Sequence, residues 1–376
     1  MKLVIISEKT RYHFQKPLAY FSKIEIIHLY KSTYSDSRLN SKNLIQYKNI
    51  FQLYSKLKKI KPDLIQGMEP YYGYSRFRIP LKILPILWTT QLYSKLHRRP
   101  YFFHCLENIA PERKYGFFCG KIMKFIAKIY ALNASFIFYV NNGAKYNLLR
   151  LGINPNKISF SLWGIWGVDV DEFQPIMKPQ KRIIFIGNLS ENKGILDLIR
   201  AIARIKTKIK DIKLSVIGTG PLLDDVKKLI ADLKLNDEVE LTGEVPSDKI
   251  AKALADSYLL IAPSIELRYS AEQVGMTMIE AAACGVPVIS TNTGSIREFV
   301  LNNKTGILVK PGNPQEISEA IIKIWNNKRL HDIMAIDARK NALKNYNSKT
   351  NVKKIEAKII AKFKEIKNAE RSNIES

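Results

Sequence analysis

The sequence predicts an α/β protein with two doubly wound parallel sheets, and three observations carry that expectation. A chain of 376 residues is too long for one ordinary core and favours two domains. Its second half alternates short apolar runs with segments of helical period, as strands joined by crossover helices do. Its first half repeats the theme less cleanly. Hydrophobic content of 46% fits a packed globular chain rather than a disordered one.

In chain order, the expected strands of the first half are Lys2–Ser7, Ile24–Tyr30, Asp63–Gly67, Tyr101–Cys105 and Ser135–Val140. Those of the second half are Arg182–Gly187, Lys213–Gly218, Val239–Gly243, Tyr258–Ser264, Pro287–Asn292 and Thr305–Lys310. Between the latter lie helical patterns at Gly194–Lys206, Pro221–Leu235, Ser247–Asp256 and Ser295–Leu301. Two further helical patterns follow the last strand. The polar, proline-bearing segment Asp171–Arg182 marks the boundary. The expected domains are therefore 1–175 and 176–345, followed by a basic end, 346–376. Its amphipathic stretch Thr350–Lys367 suits a helix crossing back to the first domain, and equally a solvated tail.

Net charge is +26, and it is uneven. Through position 175 there are 27 basic and 10 acidic residues; beyond it there are 33 and 24. Such a field favours anionic partners, although a solubilising surface would look the same. Cys105, Cys119 and Cys284 have no metal or redox spacing and read as reduced thiols. The opening residues carry no signal-peptide core, and Ile79–Trp88 is too short, and carries Lys82, to span a bilayer. A soluble, cytoplasmic protein is expected.

Ligands of open α/β sheets bind at the carboxyl ends of the strands, so motifs there matter most. After the strand ending at Ser264, Glu272 and Glu280 stand eight residues apart around Gly275. A helix over Gln273–Cys284 would carry Gly275 in its first turn and stop at Gly285. Its amino-terminal amides attract phosphate, Gly275 admits close approach, and the carboxylates lie up to ~12 Å apart along it. That span suits a sugar at one end and a ribose at the other; two surface glutamates would share the spacing. Glycine turns also follow three strands, at Gly187, at Gly218 and at Leu241–Pro246. The first places Lys193 where it can reach a diphosphate. Read as a dinucleotide fingerprint, the second lacks its third glycine, since Leu223 stands there, though Glu240 falls about twenty residues on.

The series GNLSENKG, VIGTGP, VELTGEVP, E-x7-E and ACGVPVIS, with Tyr139–Ile153 and Trp166–Pro175 before it, resembles the retaining family 4 glycosyltransferases. The likeness covers about residues 100–345. It implies the GT-B fold, two Rossmann-like domains facing a cleft, with acceptor binding in the first and nucleotide-sugar binding in the second. It implies that Glu280 holds the ribose and Glu272 the donor-sugar hydroxyls. Amides of Val274, Gly275 and Met276 would hold the phosphates, and Lys193 would neutralise the departing diphosphate, with Gly187, Asn188, Gly218 and Val245 completing the nucleotide site. Retention would proceed by attack on the face the diphosphate leaves. This chain departs from the family in having Asn188 where an arginine is usual, and Glu266 competes with Glu272, the spacing favouring Glu272.

In the first domain, the resemblance implies that Glu107 or His104 orients the acceptor hydroxyl, the alignment favouring Glu107; a structural histidine is the plain alternative for His104. No metal is expected: Asp169-Val-Asp171 has a metal-binding form but sits in the interdomain segment. No cofactor is implied beyond a UDP-, GDP- or ADP-sugar donor. Phe117–Leu132 is an amphipathic pattern with Lys121, Lys124 and Lys128 on one face and Phe118, Ile122, Phe125, Ile126 and Ile129 on another. It suits the anionic inner face of a membrane, where a lipid-linked or polymeric glycan acceptor would be met; a core-facing helix reads alike. No nucleic-acid motif is present. The expected activity is a metal-independent, retaining glycosyl transfer from a nucleotide sugar to a hydroxyl. The alternatives are a nucleotide-binding isomerase or oxidoreductase, or a membrane-peripheral binding protein without turnover.

Overall fold

The computed structural model describes the whole chain except Arg11, residues 34–42, 72–81 and 163–166, Lys178 and Ser376. Trp166 of the family-like segment and residues 79–81 of the Ile79–Trp88 run lie outside the described residues. The chain forms two compact units, Met1–Trp166 with Ser348–Ser376, and Gly167–Asn347.

Among the described residues the first unit has seven strands: β1 (Lys2–Thr10), β2 (Glu25–Thr33), β3 (Leu44–Gln46), β4 (Leu64–Gln66), β5 (Tyr101–Cys105), β6 (Phe136–Tyr139) and β7 (Ile158–Phe160). They lie in the order β3-β2-β1-β4-β5-β6-β7, and every pair is parallel. The helices are α1 (Tyr12–Gln15), α2 (Ile50–Ile60), α3 (Leu84–His97), α4 (Pro111–Tyr115), α5 (Phe117–Asn133) and α6 (Asn142–Arg150). Asn49 and Asn141 cap α2 and α6 by accepting from the Gln52 and Ala144 amides, satisfying donors that a helix start leaves open. Because side chains alternate across a strand, β5 feeds two cores. Tyr101, Phe103 and Cys105 enter one, and Phe102 enters the other. β3 and β7 escaped the sequence reading because three-residue edge strands carry too little apolar pattern.

The second unit has β8 (Ile183–Ile186), β9 (Leu214–Ile217), β10 (Val239–Gly243), β11 (Leu259–Ala262), β12 (Val288–Thr291) and β13 (Gly306–Val309), ordered β10-β9-β8-β11-β12-β13. All are parallel, and all six lie inside the expected runs. Its helices are α7 (Ile195–Ile205), α8 (Leu223–Asp232), α9 (Ser247–Ala255), α10 (Met276–Ala283), α11 (Ile296–Phe299), α12 (Pro314–Trp325) and α13 (Lys328–Asn341). α7 buries Ile195, Leu198, Ile199 and Ile202, one stripe at helical spacing. Strand order reverses between β8 and β11, and such switch points open a crevice at the carboxyl edge.

The last helix, α14 (Ser348–Glu375), belongs to the first unit. Ile355 and Ile359 are buried with Leu3, Ile5, Phe102 and Phe138. One Glu356 carboxylate oxygen accepts from the amides of Ser22, Lys23 and Ile24 at 2.9, 2.6 and 3.0 Å. No helix among the described residues is long and apolar enough to cross a membrane.

Candidate functional site

The second unit's glycine turns line the carboxyl edge of its sheet, from β10 to the switch point at β8. The exit of β8 is zipped to that of β9, with Gly187 N donating to Ile217 O at 3.0 Å and Leu189 N to Thr219 O at 2.9 Å. Gly218 N in turn reaches Gly243 O at 2.8 Å. Gly218 has φ +133°, and a Cβ there would stand 2.0 Å from Gly187 O; only glycine permits that approach. Gly187 is different. A Cβ on it would meet nothing nearer than the Phe185 ring at 3.7 Å, so the protein itself leaves that side open.

Lys193 ends the short turn Glu191–Lys193, which Gly194 closes at φ +66°. A Cβ at Gly194 would lie 2.0 Å from Pro263 O, so the β8 exit loop presses directly on the β11 exit. Ile265 N donates to Asn192 O at 2.9 Å, and Asn192 Nδ2 to Ser270 Oγ at 3.4 Å. These contacts bring Lys193 and Glu272, 79 residues apart in sequence, into an ion pair of 2.6 Å. Ser264 Oγ also donates to the same Glu272 oxygen, at 3.4 Å. The Glu272 carbonyl accepts from Ser295 N at 3.0 Å. Glu266 instead accepts from Gly294 N at 3.3 Å, so the two rival glutamates have separate partners. Ser264, Asn192, Ser270 and Ser295 went unread in the sequence, because hydroxyl and amide groups in loops carry no spacing signal.

α10 starts at Met276, later than the expected Gln273. The reason is local: Met276 N donates back to Val274 O at 2.9 Å, and Gly275 has φ −77° and ψ 70°, an inverse γ-turn. The Met276 amide is thus engaged within the chain. Gly275 takes an ordinary φ, and an added Cβ would meet only the flexible end of Met278, at 2.8 Å. Glu280 lies half-buried in the second turn of α10. Burial, with the Glu280 charge adding to it, pushes the Cys284 thiol up to about 12. Asn188 is exposed and Val245 half-buried beside the same edge. Glu240 sits on β10, 3.5 Å from Arg182.

The first unit's candidates are placed otherwise. His104 is buried on β5 between the rings of Phe102 and Phe138, at 5.9 and 5.1 Å. Burial lowers its pKa to about 3, so the ring is neutral at pH 7. Glu107 forms a buried ion pair with Lys114 and accepts from Ile109 N at 3.0 Å. Asn147 fixes the same loop, donating to the Glu107 and Ile109 carbonyls at 2.7 and 3.0 Å. Glu69, just past β4, accepts from Leu106 N and Glu107 N, each at 2.7 Å. Burial, then the neighbouring Glu107 charge, lifts Glu69 to about 7. Its position at a strand end was the signal that could have found it. Asp169 folds on itself, accepting from Asp171 N at 3.0 Å. Among the described residues no three His, Cys, Asp or Glu side chains gather as a metal site.

Residues 169–341 match the family described as glycosyl transferases group 1. The chain is 31% identical over 181 residues to an N-acetyl-alpha-D-glucosaminyl L-malate synthase of Bacillus anthracis, covering 48% of this chain and 45% of that one. It is 28% identical over 198 residues to a GDP-mannose-dependent alpha-(1-6)-phosphatidylinositol monomannoside mannosyltransferase of Mycolicibacterium smegmatis, covering 49% and 52%. The chain therefore spans about half the length of these curated relatives. Its fold is that of Anabaena Alr3699/HepE, solved in complex with UDP and glucose, with a TM-score of 0.74 at 17% identity over 96% of this chain and all of that one. A Rickettsia africae glycosyltransferase superposes with a TM-score of 0.66 at 21% identity, over 97% and 98%. The architecture is the GT-B fold.

Proposed function

We propose that this chain, whose residues 169–341 match the glycosyl transferases group 1, moves a sugar from a nucleotide diphosphate to an acceptor hydroxyl, keeping the anomeric configuration and using no metal. The acceptor is a lipid-linked or polymeric glycan. The observation that carries this reading is the Lys193–Glu272 pair, held above the β8–β11 switch point by glycine-tight turns.

In the resting site the cation and the carboxylate neutralise each other. An arriving diphosphate takes Lys193, and Glu272 is released to accept hydrogen bonds from sugar hydroxyls. Charge then grows on the departing diphosphate, where a preorganised ammonium lowers the barrier. The open side of Gly187, with Asn188, Gly218 and Val245, receives the nucleotide. Glu280 takes the ribose, and the amides of Val274, Gly275 and Met276 serve the phosphates once the γ-turn at Gly275 opens. Glu107, sealed in its pair with Lys114 and accepting from Ile109 N, shapes the acceptor side of the first unit by fixing the loop after β5. His104 packs within the sheet that carries that loop.

The test is thermal melting against UDP-, GDP- and ADP-sugars. A donor at a hundredfold its Kd should add about 2.7 kcal/mol of stability, and Lys193→Ala and Glu280→Ala should each remove most of that gain. Equal stabilisation of both variants would overturn the site. Stabilisation by NAD alone would favour an oxidoreductase or isomerase, and donor binding without transfer or slow hydrolysis a binding protein.

A further inference from the structure

We infer that α3 and α5 together form a platform that docks on an anionic lipid bilayer. The inference rests on the proposed reading in one respect: it places a lipid-linked acceptor where the first unit can meet it.

A helix covering a sheet ordinarily turns its large apolar side chains inward. α5 does the reverse. Its core contacts are Gly120, Met123, Ala127, Tyr130 and Ala131, mostly small residues, while Phe118 and Phe125 are 79% and 64% exposed, with Ile122 and Ile129 beside them. α3 adds a second stripe at four-residue spacing: Trp88, Leu92 and Leu96, each more than half exposed. Gln91 ties the helices side by side, donating to the Ile129 carbonyl at 3.4 Å and reaching the Tyr101 hydroxyl at 3.3 Å. Among the described residues, nine of the eighteen exposed large hydrophobic side chains belong to these two helices. An apolar surface so concentrated marks an interaction site.

Charge selects the occupant. Neither helix contains an aspartate or glutamate. Lys95, Lys121 and Lys128 are exposed among the apolar side chains, and Lys121 lies over the Phe117 ring at 4.1 Å. Lys124 is held by Glu112 at 3.2 Å. Apolar side chains flanked by Lys95, Lys121 and Lys128, for which no carboxylate partner is found among the described residues, fit acyl chains beneath acidic headgroups. A second copy fits badly, since symmetric pairing would set lysine against lysine.

The experiment uses the full chain and vesicles of phosphatidylcholine with and without phosphatidylglycerol, read by flotation and by quenching of Trp88 with brominated lipid. A Trp88→Phe variant isolates that signal. Acidic vesicles should carry the protein and pure phosphatidylcholine should carry far less. Neutralising Lys121 and Lys128 should weaken partitioning about fivefold per lysine, and the Trp88→Ser, Leu92→Ser, Leu96→Ser variant should weaken it at least tenfold. These substitutions lie outside the donor site, so melting in water and the donor-induced shift should be unchanged. Absence of flotation, undiminished binding of the α3 variant, or no bromine quenching would overturn the platform. So would concentration-dependent dimerisation that the α3 variant abolishes, which makes the face a protein interface. Flotation without any donor response would sink the transferase reading and leave the platform standing; a donor response without flotation does the opposite.

Discussion

Two of the lysine–glutamate pairs among the described residues, Lys193–Glu272 in the second unit and Lys114–Glu107 in the first, stand beyond the carboxyl edge of a parallel sheet and share their chemistry while differing in burial. Lys193–Glu272 has side chains 30% and 17% exposed; those of Lys114–Glu107 are 5% and 3% exposed. The first pair sits over a switch point, between loops that glycines let pass within backbone contact. The second is sealed beneath α4, beside Glu69, with its loop fixed by Asn147. An open pair can exchange one partner for a ligand because water stabilises whichever charge is released. A sealed pair cannot, because separating it strands an ion in a low-dielectric interior.

The largest effect that would break this contrast is on the sealed pair. Lys114→Ala leaves Glu107 buried without its partner and should cost about 3–5 kcal/mol, seen as a large drop in the midpoint of denaturant unfolding. A loss below about 1 kcal/mol would mean that solvent already reaches Glu107. Next comes pH. Glu69 in the folded chain holds its proton up to about pH 7, against an ordinary value of 4.5. The native state therefore binds more protons than the unfolded one between those values, and stability falls as pH rises through that window. Glu69→Gln removes this slope, so its melting temperature should gain on the wild type from pH 5 to pH 8; a constant difference would contradict the assignment. The smallest expected effect is on the open pair. Glu272→Gln should change stability in the absence of donor by less than about 1 kcal/mol while weakening the donor-induced melting shift. A stability loss as large as that of Lys114→Ala would make the two pairs alike and Glu272 a scaffold residue.

The second unit was nearly all legible in the sequence because its strands are short runs rich in Ile, Val and Leu, separated by glycine turns and amphipathic helices. The two edge strands of the first unit were not, since Leu44–Gln46 and Ile158–Phe160 are too short to show a period. At the candidate site, residue types and order were readable: Lys193, Glu272 and the glycines stand where strand ends put them. The Lys193–Glu272 contact was not, because it depends on the Gly194–Pro263 approach between loops far apart in sequence. The γ-turn at Gly275 was hidden for a related reason: a glycine before a helix fits many backbone angles equally well. The sealing of Glu107 is also tertiary, since nothing in the stretch from Glu107 to Lys114 states that both side chains turn inward.

The attachment of α14 bears on how the protein is made. One face of the first sheet is completed by Ile355 and Ile359, and Glu356 secures the amides of Ser22, Lys23 and Ile24. On the ribosome, that face stays uncovered while the roughly two hundred residues between Phe138 and Ile355 are added. At roughly 5–20 residues per second, the wait lasts tens of seconds. The later-translated Gly167–Asn347 can close its own sheet as soon as it emerges, so the unit made first finishes last, and a nascent chain stalled before residue 348 exposes Phe102, Phe136 and Phe138 to chaperones.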